Sequence, residues 1–272
     1  MSISVVIYLR KKGNVMENEL PDKKIVKRSL YTLFFKRFFD ILLSGLGLII
    51  LSPVMLIVSI ICRIKMGKGI IFSQYRPGKN NKIFKFYKYR SMLNLYDEEG
   101  NLLPDRERMC KFGNLLRKTS LDELPQLWNI FKGDMSIVGP RPKLVKDMVF
   151  YSKEQNIRGL VRPGLTGLAQ ANGRNNITWE EIFEYDKYYV EHCSLWLDIK
   201  ILFKTIFKVF KKADIVEQDK TKQAYYYGDY LLESGVISKE EYNLKQQLAK
   251  ELISQKDSKR IVNKTIKQNI KN

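Results

Sequence analysis

Two adjacent carboxylates stand in the most chemically dense stretch of the chain, Arg117-Lys118-Thr119-Ser120-Leu121-Asp122-Glu123-Leu124-Pro125-Gln126. On a helix, neighbouring side chains project about 100° apart, because 3.6 residues make a turn. One carboxylate can then hold a cation while the other attacks. Mg²⁺ favours one or two carboxylates together with substrate phosphates. An aspartate can also become an aspartyl-phosphate, which divides one displacement into two. Arg117 and Lys118 would neutralise phosphate charge, and a helix N-terminus would add to their effect. The same residues carry a plainer role. Ser120 and Glu123 have capping-box spacing, Asp122 falls where acids favour the helix dipole, and Pro125 suits an early helical position. Capping and catalysis are compatible, since both put the carboxylates at a helix start.

Several elements must position this stretch. A helix is expected over Met109 to Arg117, and a second over Leu124, Leu127, Trp128 and Phe131, with Gly133 as its stop. Met135 to Val138 reads as a short strand. Gly139-Pro140-Arg141-Pro142 is a stiff loop, its backbone fixed by two prolines around Arg141. Arg162-Pro163-Gly164-Leu165-Thr166-Gly167 is another constrained turn. Tyr75 to Asn81 is a basic, turn-rich loop, and Ile83 to Arg90 alternates like a strand. Residues 97–108 are acidic and turn-like. One long helix is expected from Trp179 to about Lys212. Lys200, Lys204 and Lys208 recur along it every four residues, extended by Lys211 and Lys212, while Leu197, Ile201, Phe203, Ile206, Phe207 and Phe210 cover much of the remainder. Such a basic amphipathic helix suits the headgroup region of an anionic membrane. A core helix with a solvated lysine face is the alternative.

From Ile41 to Cys62 there are 22 residues without a charge. A spanning helix needs about 20 apolar residues, so length alone permits one crossing. Basic residues flank both ends, Lys36 and Arg37 before it and Arg63, Lys65 and Lys68 after it, so charge selects no orientation. Ser52-Pro53 lies near the middle. Proline removes a helical donor and clashes with the carbonyl four residues back, here Ile49. The 12 residues Ile41 to Ser52 make an arm of about 18 Å, too short to cross a core of about 30 Å. A re-entrant helix and a kinked spanning helix both remain open on this pattern. The re-entrant form predicts Asp40 and Arg63 near each other at its mouth.

The whole chain has 272 residues, and Lys+Arg 48 against Asp+Glu 29 gives a net charge of +19. Such an excess implies an anionic partner: nucleic acid, anionic lipid or a phosphate-rich substrate. A hydrophobic fraction of 44% excludes a disordered polycation. His192 is the only histidine, which excludes a multi-histidine metal site. Cys62, Cys110 and Cys193 are far apart and odd in number, so a disulfide framework is not expected. Four regions are expected: a basic segment 1–35 with Met16 as an alternative initiator, a membrane helix 36–68, a catalytic domain 69–212, and a helical extension 213–272. In the extension, residues 231–242 read as helix, glycine turn and helix, with Ser238 and Glu241 spaced as a capping box. That short run resembles the oligomerisation module called SHOCT, which leaves homo-oligomerisation open.

From Lys36 to Phe207 the chain resembles the bacterial sugar transferases, the monotopic polyprenyl-phosphate phosphoglycosyl transferases of small stand-alone type. The carrying stretches are Lys36-Arg37-Phe38-Phe39-Asp40, Ser52-Pro53, Gln74-Tyr75-Arg76-Pro77-Gly78, Lys88-Tyr89-Arg90-Ser91-Met92, Ser120 to Gln126, Lys132 to Pro142, Arg162 to Gly167, and Asp186-Lys187-Tyr188-Tyr189-Val190. Asn80-Asn81 departs from the Asn-Gly turn expected there. The resemblance implies an α+β, mainly helical, monotopic protein with a re-entrant helix broken at Ser52-Pro53, on the cytoplasmic face of the bacterial inner membrane. It implies that Asp122 attacks the β-phosphorus of a UDP-sugar and releases UMP, and that polyprenyl (undecaprenyl) phosphate then takes the phosphosugar. Asp122 and Glu123 are the implied metal ligands, Glu123 first, for Mg²⁺. Lys88, Arg90, Arg117, Arg141 and Asp186 are the implied substrate-binding residues. No nucleic-acid partner is implied. A membrane-attached nucleic-acid binder would instead show salt-steep binding without Mg²⁺. A scaffold built on the extension would tolerate Asp122→Asn.

Overall fold

The computed structural model describes residues 20–27, 29–173, 177–210 and 226–269. The expectations for Met16 and for Lys211 and Lys212 lie outside them. The chain is mainly helical, with two small two-stranded sheets.

Helix α1 (Lys36–Ile50) and helix α2 (Ser52–Met66) form the apolar stretch. With the preceding turn Tyr31–Phe35, they form a pair bent by 61° at Leu51. No single helix among the described residues is long and apolar enough to cross a membrane. The bend follows from the Ser52-Pro53 pair. Pro53 has no N–H for the carbonyl of Ile49. The Ser52 hydroxyl donates to that oxygen instead, at 2.7 Å. Ladder bonds resume directly, with Leu51 N donating to Gly47 O and Met55 N to Leu51 O.

The first residues of α1 join it to the domain. Lys36 Nζ donates to Val138 O at 3.0 Å and pairs with Asp198 at 2.5 Å. Arg37 donates to Ile130 O and Phe131 O at 2.7 and 2.8 Å. Asp40 accepts from Ser136 Oγ at 3.0 Å and from Ile137 N at 2.9 Å. This overturns the expected approach of Asp40 to Arg63: a bend of 61° leaves the two arms splayed, and the charged neighbours of Asp40 are Lys36 and Arg37.

Strands β1 (Ile71–Pro77) and β2 (Ile83–Tyr89) pair antiparallel, with Ile71 opposite Tyr89 and Pro77 opposite Ile83. Their connection needs two left-handed residues, and Asn80 and Asn81 both adopt φ 56°. Asparagine tolerates this region better than most residues, so the departure from Asn-Gly keeps the turn. Phe84 and Phe86 pack on Ile130 and Met135. Helix α3 (Lys111–Thr119) is followed by a 3-10 turn, Leu121–Glu123, and by helix α4 (Gln126–Lys132), which Gly133 ends at φ 97°. Strand β3 (Ser136–Val138) runs parallel to β4 (Gly164–Thr166). Their loops touch backbone to backbone. A Cβ on Gly164 would lie 2.1 Å from Gly139 N, and one on Gly139 would lie 2.4 Å from Arg162 O. The two glycines therefore let the Arg141 loop seat against the Arg162–Gly167 turn.

The single long helix expected after Trp179 is two. Helix α5 (Trp179–His192) ends at Cys193, and helix α6 (Leu195–Phe210) begins after Ser194, whose hydroxyl accepts from Leu197 N at 3.3 Å. The apolar period runs through the break, so spacing alone concealed it. Helix α6 buries Asp198 and Ile201 and exposes Trp196, Phe203, Ile206 and Phe207. Tyr31, Lys36 and Tyr189 all bond Asp198, which ties α6 to the start of α1.

Helices α7 (Tyr227–Glu233) and α8 (Lys239–Asn269) pack on the domain. Tyr227, Leu231 and Ala249 share one core with Val149, Phe150, Tyr151, Trp179 and Phe183. Gly235 makes the expected turn at φ 69°, and Ser238 Oγ accepts from Glu241 N at 3.2 Å.

Candidate active site

The capping box expected at Ser120 does not form. Ser120 takes the left-handed conformation, φ 58° and ψ 16°, and ends α3. Its side chain makes no capping bond to the turn that follows. The turn Leu121–Glu123 thus presents Asp122 and Glu123 from a sharp corner between two helices. A non-glycine residue held at positive φ stores of order 1–2 kcal/mol, and such residues collect at functional sites.

Asp122 is 6% exposed. Burial first, and the neighbouring Glu123 second, push its carboxyl up to about 6. Lys88, Arg117 and Arg141 oppose that rise, so three cations surround the acid. Glu123 accepts from the Arg141 guanidinium at 2.7 Å. Arg141 is held as its two prolines require: its carbonyl accepts from Arg158 at 2.5 Å, and the next carbonyl, of Pro142, accepts from Arg76 at 3.0 Å. Arg117 Nε donates to Ser91 Oγ at 2.9 Å. That contact depends on Gly113, where a Cβ would lie 1.9 Å from the Ser91 carbonyl oxygen. Burial holds the Lys88 ammonium below its ordinary range, with repulsion from Arg117 next.

Sequence reasoning placed seven residues at the site. The structure gathers Asp122, Glu123, Lys88, Arg117 and Arg141. Asp186 lies deeper, paired with Arg158 at 3.1 Å, with burial raising its carboxyl. Arg90 is not gathered. Its guanidinium donates to the Met66 carbonyl at the end of α2, so it ties that helix to the sheet. Arg76, Lys143 and Arg158 were missed as site residues. Arg76 stood in a quoted motif, whereas Lys143 and Arg158 carried no pattern of their own.

A cleft of about 500 Å³ opens beside the cluster. Arg117, Ser120, Glu123, Arg141 and Lys208 line it together with Leu51, Leu124, Leu127, Leu202 and Ile206. It therefore joins clustered charge to the broken apolar helix and to α6. Such a shape suits an amphiphile with an anionic head. Among the described residues, no group of three or more His, Cys, Asp or Glu could hold a metal. The Asp122–Glu123 pair fits a hard cation only where a phosphate substrate adds oxygen ligands.

Comparisons with known proteins bear on the family. The family model described as bacterial sugar transferase matches residues 31–212. The uncharacterized sugar transferase EpsL of Bacillus subtilis is 47% identical over 177 residues, 65% of this chain and 88% of that protein. A UDP-glucose:undecaprenyl-phosphate glucose-1-phosphate transferase of Klebsiella pneumoniae is 40% identical, over 65% of this chain and 40% of that protein. An undecaprenyl-phosphate galactose phosphotransferase of Salmonella typhimurium is 38% identical, over 69% of this chain and 42% of that protein. The chain spans about two fifths of the length of these last two relatives. With a family match over more than half its length, this chain belongs to the bacterial sugar transferase family.

Proposed function

We propose that the chain transfers a phosphosugar from a UDP-sugar to polyprenyl phosphate, through a covalent intermediate on Asp122. A carboxylate oxygen of Asp122 bonds to the β-phosphorus, the bond from that phosphorus to the bridging oxygen breaks, and UMP leaves with the electron pair. An oxygen of polyprenyl phosphate then attacks the same phosphorus and expels the carboxylate. The product is a polyprenyl-diphosphate sugar. The observation that carries this reading is the burial of Asp122 among three cations, beside a cleft lined by both charged and apolar side chains. The names of the Klebsiella and Salmonella relatives support the substrate classes.

The residues divide the work by chemistry. Arg141, pinned by prolines, clamps a phosphate. Arg117 faces the cleft and meets the nucleotide or lipid phosphate. Lys88 neutralises diphosphate charge. Glu123, with Asp122 beside it, would hold Mg²⁺ together with the donor. When bound, Mg²⁺ would supply charge neutralisation at the diphosphate.

The bent pair supports a re-entrant, monotopic placement. Each 15-residue arm is about 22 Å long. With both arms equally tilted and a 61° bend, the apex reaches about 11 Å below their outer ends. That stays within one half of a core of about 30 Å. Phe38, Ile49 and Ile57 on the pair, and Trp196, Phe203 and Phe207 on α6, are large apolar side chains left exposed. The domain then sits at the cytoplasmic face of the bacterial inner membrane, where a lipid-linked glycan for capsule, exopolysaccharide or glycoprotein begins. The test is UMP release from a panel of UDP-sugars with Mg²⁺ and undecaprenyl phosphate, for wild type and Asp122→Asn. Release by wild type alone supports the reading, and equal release by both overturns it.

A further inference from the structure

Behind Arg141 lies a second, smaller space of about 40 Å³, walled by Arg141, Lys143, Arg158, Gln170, Ile182 and Asp186. It shares Arg141 and Gln170 with the large cleft, so the two spaces adjoin one another at those side chains. The large cleft is walled mostly by apolar groups near the bent helix pair. The small one carries three cations against one carboxylate. An excess of cations in a confined space selects a phosphate group over a sugar hydroxyl.

The cations here are not equivalent. Arg141 is engaged by Glu123. Arg158 is engaged by Asp186, by the Tyr151 hydroxyl oxygen at 2.9 Å and by the Arg141 carbonyl. Lys143 has no carboxylate within ion-pair distance among the described residues. Its ammonium instead lies over the indole of Trp179, 4.2 Å from the ring centroid. That ring is fixed by Tyr227 and Phe183, with centroids 5.1 and 6.0 Å away. Pro142 stiffens the backbone just before Lys143. Lys143 is thus a held amine with no direct ion-pair partner among the described residues. Burial first, and repulsion from Arg158 next, lower its ammonium to about 7, against attraction from Asp186 and Asp147, with Arg141 adding repulsion. An arriving anion would reverse that balance and draw a proton onto the amine.

We propose that Lys143 binds the phosphate of the nucleoside monophosphate leaving group. This rests on the transferase reading above, and it concerns a residue just beyond the Gly139–Pro142 motif. Arg141 links the two places, since it meets Glu123 and also walls the small space. Lys143 receives the departing phosphate on the far side of Arg141 from Glu123.

The experiment is calorimetric titration of UMP into the full chain in detergent at pH 7, repeated in buffers of different ionisation enthalpy. Wild type is expected to bind UMP with net proton uptake. Lys143→Met is expected to weaken UMP binding at least tenfold and to lose the uptake, while a thermal scan shows it folded. Lys143→Arg is expected to restore affinity without uptake. The proposal is overturned if Lys143→Met binds UMP within twofold of wild type with unchanged uptake. A folded wild type that releases UMP from a donor, with Lys143→Met matching it in donor KM and UMP affinity, overturns this inference alone. A folded wild type that neither binds nor releases UMP overturns the transferase reading beneath it.

Discussion

At Asp122 two requirements oppose each other. As the proposed nucleophile it must be ionised, yet burial and Glu123 favour the protonated acid. Its folded-state value of about 6 lies above the ordinary 3.8. Stability associated with the neutral acid is therefore full below about pH 4 and is lost as pH rises through about 6. Asp122→Asn should abolish UMP release. It should also raise the melting temperature in detergent at pH 7.5, corresponding to up to about 3 kcal/mol at 1.36 kcal/mol per pH unit. That gain should vanish near pH 4. A lower melting temperature for Asp122→Asn at pH 7.5 would contradict the assignment of strain. The same ionisation places the acidic limb of the kcat/KM profile for the donor near pH 6. A flat profile from pH 5 to 8 would remove Asp122 as the titrating nucleophile. The adjacent acids and the proline-bracketed Arg141 could be found in the sequence because each declares itself locally. Ser120 could not: its letters spell a capping box, and only the packed corner forces its positive φ. Lys143 and Arg158 were hidden for a different reason, since only tertiary folding brings them around Arg141.

The helical break at Leu51 was legible because its cause is local: proline lacks a donor, and serine supplies one. The break at Cys193–Ser194 was not, because Leu197 and Ile201 continue the spacing of α5. Pro53→Leu restores a donor to the carbonyl of Ile49 and should straighten the pair. Cysteines at residues 30 and 70 should react from one side of the membrane in wild type. In Pro53→Leu the two should separate to opposite sides. Opposite faces in wild type itself would exclude the re-entrant form. The strand-to-loop junction offers a sharper test of packing. Gly164→Ala sets a methyl 2.1 Å from Gly139 N and must displace the Arg141 loop. An outcome of 1–3 kcal/mol lost stability, typical of overpacking, is expected with a tenfold or larger fall in kcat/KM. Retained activity would show that the Arg141 loop does not depend on this contact.

Across the whole molecule, the charge of +19 has two uses in the account: cations around the phosphate site, and a basic face toward an anionic membrane. The extension 213–272 reads from composition as a distinct region, rich in Lys, Gln and Glu and poor in large apolar residues after Ile237. Folding places its few aromatics where they count. Tyr227 packs on Trp179, Phe183 and Tyr151, and its N–H donates to Asp147 at 3.0 Å. Tyr227→Ala should cost about 3–5 kcal/mol, the range for burying no ring where one stood. A cost under 1 kcal/mol in a detergent denaturation series would show that the extension is not part of this core. The central claim, a covalent phosphosugar on Asp122, is tested most directly by mixing wild-type protein with its UDP-sugar and Mg²⁺ while withholding polyprenyl phosphate. The account predicts a burst approaching one UMP per active site, and a phosphosugar mass on the peptide holding Asp122, both absent in Asp122→Asn. UMP release only when both substrates are present, with no modified peptide, would contradict it and point to direct transfer between the two bound substrates.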